Sequence, residues 1–183
     1  MLNADIPGFS AGCARHEQLP DKEDYTMASS SGQAKASDDP VLQYVTFRLD
    51  HETYGINVMQ IQEVLRYTEI APVPGSPSYV MGIINLRGNV VTVIDTRQRF
   101  GLSQSEVSDS SRIVVIEVDS QVMGILVDSV AEVVYLRQSE IESAPNVGNE
   151  ESAKFIHGVC NKNGELIILV EFEKLMLDEE WGG

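Results

Sequence analysis

The residues able to do chemistry are few and scattered. The three histidines, His16, His51 and His157, lie far apart, and the two cysteines, Cys13 and Cys160, belong to no CxxC or Cys/His cluster. A metal centre needs several donors at ligand spacing, and a disulfide framework needs more than two distant thiols. No GxxxxGK[ST] phosphate loop, nucleophile elbow or HExxH segment occurs. The acidic pairs Glu150-Glu151 and Glu179-Glu180 adjoin polar or terminal positions, which suits solvated surface better than general acid–base catalysis. His157, between Ile156 and Gly158, reads as a packing or surface residue. The expectation is therefore no catalytic residue, no metal ligand and no cofactor.

One constellation is left, in the stretch GIINLRGNVVTVID from Gly82 to Asp95. Asn85-Leu86-Arg87-Gly88 stands between two apolar β-branched runs, where Asn and Gly tolerate the positive φ of a hairpin turn. Leu86 and Arg87 on such a tip suit a protein contact, with a merely solvated arginine as the open alternative. Upstream, Glu63 lies in the apolar segment Gln62-Glu63-Val64-Leu65, and Glu132 lies in the similar Ala131-Glu132-Val133-Val134. Both acids are expected at solvent-facing positions.

Composition limits what such a contact could serve. Across 183 residues, 13 Lys plus Arg against 28 Asp plus Glu give a net charge of −15, which disfavours sequence-independent binding to nucleic acid or anionic lipid. Proteins or small ligands are the expected partners, and cysteine usage suggests a reducing compartment. The first residues hold an acid at Asp5 and no continuous apolar run, so no signal peptide is expected, and no segment reaches membrane-spanning length.

The elements that must position these residues are mostly strands. Residues 1–39, rich in Ser, Ala, Gly, Asp and Glu, lack apolar periodicity and are expected to be a disordered acidic tail. From Val41 the runs VLQYVTFRL, YGINV, YVMGII, NVVTVID, RIVVIEV, QVMGILV and ELIILVEF, punctuated by Gly, Pro, Asp or Asn, predict a β-rich sandwich or barrel. Short helices are expected at Val58 to Tyr67, Asp95 to Phe100 and Phe172 to Glu180.

The chain also repeats itself. A shift of 69 positions lays Tyr44-Val45-Thr46-Phe47 on Ile113-Val114-Val115-Ile116, Gly55 on Gly124 and Glu63 on Glu132; a shift of 76 lays Gly82 on Gly158. Two related β-units of this size are expected to share apolar surface. The turn then reads Asn85-Leu86-Arg87-Gly88 in one copy and Asn161-Lys162-Asn163-Gly164 in the other. The shared Asn and Gly are assigned to the turn. Leu86 and Arg87 are released from it, and only the copy carrying them has Glu63.

Together, Ile61-Gln62-Glu63-Val64, Ile70-Ala71-Pro72-Val73-Pro74, Val80 to Gly88, Val93-Ile94-Asp95 and Gly124 to Val130 resemble, in order and spacing, the CheW family of bacterial chemotaxis coupling proteins. The resemblance implies a mainly β domain over residues 40–178, built as two intertwined five-stranded SH3-like β-barrels, with residues 179–183 as a C-terminal tail. It implies a cytoplasmic adaptor without catalysis, recruited to membrane receptor arrays. The adaptor would join methyl-accepting chemoreceptor tips to the regulatory domain of the histidine kinase CheA. Carried over by motif, receptor contact falls on Glu63, Val64, Leu86 and Arg87, with Asn85 and Gly88 shaping the turn, and kinase contact falls on Val45, Val58 and Ile61. Two alternatives stay open: a related adaptor for surface motility or second-messenger control, and a small-ligand-binding β-barrel.

Overall fold

The computed structural model describes residues 38–144 and 153–173. Within them run β1 Val41–Leu49, β2 Glu52–Asn57, β3 Ile61–Arg66, β4 Val80–Leu86, β5 Asn89–Asp95, α1 Thr96–Arg99, β6 Arg112–Val118, β7 Gln121–Val127, β8 Ser129–Arg137, β9 Ile156–Lys162 and β10 Glu165–Val170. The strands form two five-stranded sheets, ordered β8-β1-β2-β10-β9 and β3-β6-β7-β5-β4. Pairing is antiparallel except for the parallel contacts β2–β10 and β5–β7.

These orders give the repeat its structural meaning. Replacing β1 to β5 by β6 to β10, and the reverse, turns one sheet order into the other. Each copy places its first two strands in one sheet and its last three in the other, so the two units are intertwined rather than adjacent.

Burial explains why several strands read as continuous apolar runs. In β6, Ile113 and Val115 face a small core of their own sheet with Ile84, Val91 and Val93. Val114 and Ile116 face a larger core to which both sheets contribute, including Phe47, Leu49, Ile56, Ile94, Ile125 and Val170. A strand covered on both faces has no polar side to show. The other sheet has its own small core of Tyr44, Leu136, Cys160, Ile167 and Leu169. Cys160 occupies the place of Ile84 there and packs as an apolar side chain, its thiol pKa pushed up by burial.

Each sheet also curls. Among the described residues no ladder joins β3 to β4 or β8 to β9, but single bridges tie Ala71 to Ile83 and Glu142 to Val159. The chain leaving one edge strand thus reaches the opposite edge. It passes over Gly82 or Gly158, where a Cβ would run into the Ala71 or Glu142 carbonyl oxygen.

Of the three expected helices, Asp95 to Phe100 is present as α1, capped by Asp95 Oδ1 accepting from the Gln98 N–H at 3.2 Å. Val58 to Tyr67 is not a helix. A 3-10 turn covers Val58–Gln60, and Ile61–Arg66 is the edge strand β3, because alternate Ile61, Glu63 and Leu65 turn inward and β6 supplies backbone partners. The expectation for Phe172 to Glu180 lies outside the described residues from residue 174 on, as does the tail up to residue 37. Asp39, assigned to that tail, instead accepts hydrogen bonds from Ser139 N and Oγ at 2.9 and 2.7 Å.

Candidate functional site

The turn after β4 is a two-residue hairpin loop. Leu86 pairs with Asn89, leaving Arg87 and Gly88 as corners at φ +52° and +87°, and Asn85 Oδ1 accepts from the Gly88 N–H at 2.9 Å. The second copy repeats this with Asn163 and Gly164 at +54° and +84°, and Asn161 Oδ1 accepting from Gly164 at 3.2 Å. Asn85 and Gly88 do what the sequence suggested. Arg87 is not released from the turn: it holds a left-handed corner that costs a side-chain-bearing residue about 1 kcal/mol and suits the Asn of the other copy better. Leu86 is no exposed tip either; it is half-buried against the Ile84 and Val91 core.

Arg87 reaches back across the curl. Its Nη2 lies 2.9 Å from Glu63 Oε2, with the arginine side chain 76% and the glutamate 21% exposed. Glu63 is therefore sheltered, contrary to its expected solvent-facing place. It follows a β-bulge between Ile61 and Glu63, a device that re-aims side chains beside sites. The ion pair forms part of the lining of a groove of about 380 Å³, together with Leu86, Val90 and Val122. Val90 and Val122 are apolar yet exposed. The arrangement offers apolar area with one cation and one acid in fixed positions, which is recognition chemistry. Val64 is exposed, but strand alternation turns it to the face of β3 opposite Glu63, and it does not line this groove.

The expected kinase-facing trio is less accessible. Val45 is 8% exposed and points into the central core; Val58 and Ile61 are half-buried against that same core. The inward-facing side chains of β1 and β3 close the core there. Sequence reasoning missed Met59, which the 3-10 turn pushes out to 87% exposure beside Val58. The apolar pair Val58-Met59 set between the polar Asn57 and Gln60 was the available signal. Met59 rims a cleft of about 290 Å³ shared with Tyr44, His157 and Glu171, in which His157 Nδ1 and Glu171 Oε1 are 2.8 Å apart.

A charged clasp fixes the frame. Arg97 on α1 donates to Asp128 through Nε at 2.8 Å and Nη2 at 2.6 Å, and Asp128 Oδ2 accepts from the Asp50 N–H at 2.8 Å, which ties the β1–β2 turn to α1. Burial works to raise the Asp128 pKa, but these bonds outweigh it and hold the carboxyl below the usual range. No group of three or more His, Cys, Asp or Glu among the described residues could hold a metal ion.

The CheW-like domain family model matches residues 43–180, three quarters of the chain. The chain belongs to the CheW family. Family members are non-catalytic scaffold and adaptor proteins. A CheW-family relative, the chemotaxis protein CheW of Treponema pallidum, is 32% identical over 149 residues, covering 79% of this chain and 88% of that protein. The chemotaxis protein CheW of Rhizobium meliloti is 32% identical over 138 residues, covering 75% and 89%. The crystal structure of the scaffolding protein TtCheW from Thermoanaerobacter tengcongensis is similar at 33% identity and a TM-score of 0.68, covering 72% of this chain and 90% of that one.

Proposed function

We propose that this CheW-family protein is a coupling adaptor of bacterial chemotaxis, joining the cytoplasmic tips of methyl-accepting chemoreceptors to the regulatory domain of the histidine kinase CheA. The observation that carries the reading is Arg87, kept at a strained turn corner and aimed at Glu63 across an apolar groove. A receptor tip is a helical hairpin. Val90, Val122 and Leu86 would bury apolar area against it, and the charges would fix its register. Asn85 and Gly88 set the turn that presents them, and Val64 extends the contact on the outer face of β3. Kinase contact is assigned to Met59 with the exposed rims of Val58 and Ile61, supported from beneath by Val45.

The adaptor works in the cytoplasm, recruited to membrane arrays through its partners. No helix among the described residues is long and apolar enough to cross a membrane. The coupling domain is assigned residues 40–178, with Asp39 tied to it through Ser139. A pull-down with a receptor tip fragment and the CheA regulatory domain tests the reading. Arg87→Glu is expected to lose the receptor and keep the kinase, and Met59→Asp to do the reverse. Met59 is the better probe than Ile61 because its side chain leaves the core untouched. Retention of neither partner by folded wild-type protein rejects the proposal.

A further inference from the structure

The pseudo-twofold relation gives the candidate groove a counterpart in the other sheet, with different chemistry. A groove of about 500 Å³ lies between β8 and the β9–β10 turn, floored by Thr46, Thr53 and Ile167. Glu132 stands where Glu63 stands, and Asn163 where Arg87 stands. The pair that Arg87 and Glu63 form in one sheet has no counterpart in the other, and Glu132 has no charged partner among the described residues. The two cations lining this groove are already engaged, Arg48 with Glu165 at 3.2 Å and Lys162 with Glu140 at 3.8 Å. An acid is left over in a chain whose other copy answers it.

The wall of this groove is also unfinished. β8 is a nine-residue edge strand, paired with β1 on one side only. Lys162 Nζ donates to the Tyr135 carbonyl at 3.1 Å, which shows a main-chain acceptor of β8 turned away from β1 and into reach. Edge strands of this length are ordinarily blunted by proline or covered by another element. Here Val133 is 44% and Tyr135 58% exposed, Val134 packs inward, and Glu132, itself exposed, lines the groove beside them.

We propose that this groove takes a short extended segment of a protein partner, which adds to β8 as a further strand. The segment reads apolar, cationic, apolar: a lysine or arginine set against Glu132 in the groove, and apolar neighbours beside Val133 and Tyr135. One of its main-chain N–H groups replaces Lys162 on the Tyr135 carbonyl of β8. Backbone bonds supply attachment and the alternating side chains supply selectivity. The proposal is independent of the receptor reading, which concerns the other sheet.

The test is an amide NMR titration of the full chain with the blocked peptide Ser-Thr-Val-Lys-Val-Thr-Ser. The expected result is saturable shifts confined to residues 131–137 and the β9–β10 turn, with alternate β8 amides gaining protection from hydrogen exchange. Glu132→Lys, an exposed change whose fold is checked by amide dispersion, should weaken binding at least about tenfold. The same variant should bind the Glu-for-Lys peptide at least about tenfold more tightly than wild type does. Tyr135→Lys should weaken both peptides. The proposal is overturned if no saturable shift appears on β8, if the shifts fall on β3, or if charge reversal leaves both affinities unchanged.

Discussion

Arg87 separates two demands that a hairpin usually satisfies with one residue. Its corner needs positive φ, which asparagine supplies at the matching Asn163, yet an arginine is held there within reach of Glu63. Arg87→Asn should therefore relieve backbone strain while losing an exposed ion pair worth about 0.2–1 kcal/mol. Urea unfolding should show a net change of less than about 1 kcal/mol, whereas receptor-tip binding should fall at least about tenfold. Asn85 and Gly88 could be assigned from the sequence because a tight turn depends on its own four residues. The Glu63 partnership could not, because it spans the curl of a sheet. The Asp128 clasp was equally hidden and has a titration signature. Its folded pKa lies below the ordinary value near about 3.9, so its stabilisation is present above that pH and is lost as pH falls through the folded value. Asp128→Asn should cost about 1–2 kcal/mol at pH 7, and the gap from wild type should close in urea melts taken progressively below about pH 4.

At the scale of elements, β3 shows how a partner strand overrides a local preference. The segment Val58 to Tyr67 carries apolar residues at spacings that suit a helix, and nothing local distinguishes the strand. What decides is β6, whose Ile113, Val114, Val115 and Ile116 lie opposite it in register. Short α1 was legible because its cap, Asp95, is adjacent in sequence. The bridges that tie each curl were not, although Gly82 and Gly158 marked them. Gly82 has φ +145° and no room for a Cβ beneath the Ala71 carbonyl, while Gly88 has open space around it and only its positive φ to protect. Gly82→Ala should thus destabilise by more than about 2 kcal/mol and Gly88→Ala by about 1 kcal/mol in matched denaturant titrations. Equal costs would contradict the assignment of Gly82 to a crossing segment.

For the whole molecule, the repeat announced two related units, but the exchange of hairpins between sheets depends on pairings between distant strands that internal similarity alone does not specify. Because each sheet draws strands from both copies, separate fragments 1–102 and 103–183 should each give collapsed, undispersed amide spectra. Mixing them should restore the dispersed spectrum of the full chain, and an independently folded fragment would contradict the intertwined core. This construction places the Arg87 groove and the Met59 surface on one interleaved pair of sheets, as the proposed coupling role requires. The most direct test is sedimentation velocity of the wild-type chain mixed with a receptor cytoplasmic tip fragment and the CheA regulatory domain. The account predicts a single faster species containing all three proteins. Binding of neither partner, or displacement of one by the other, would contradict it.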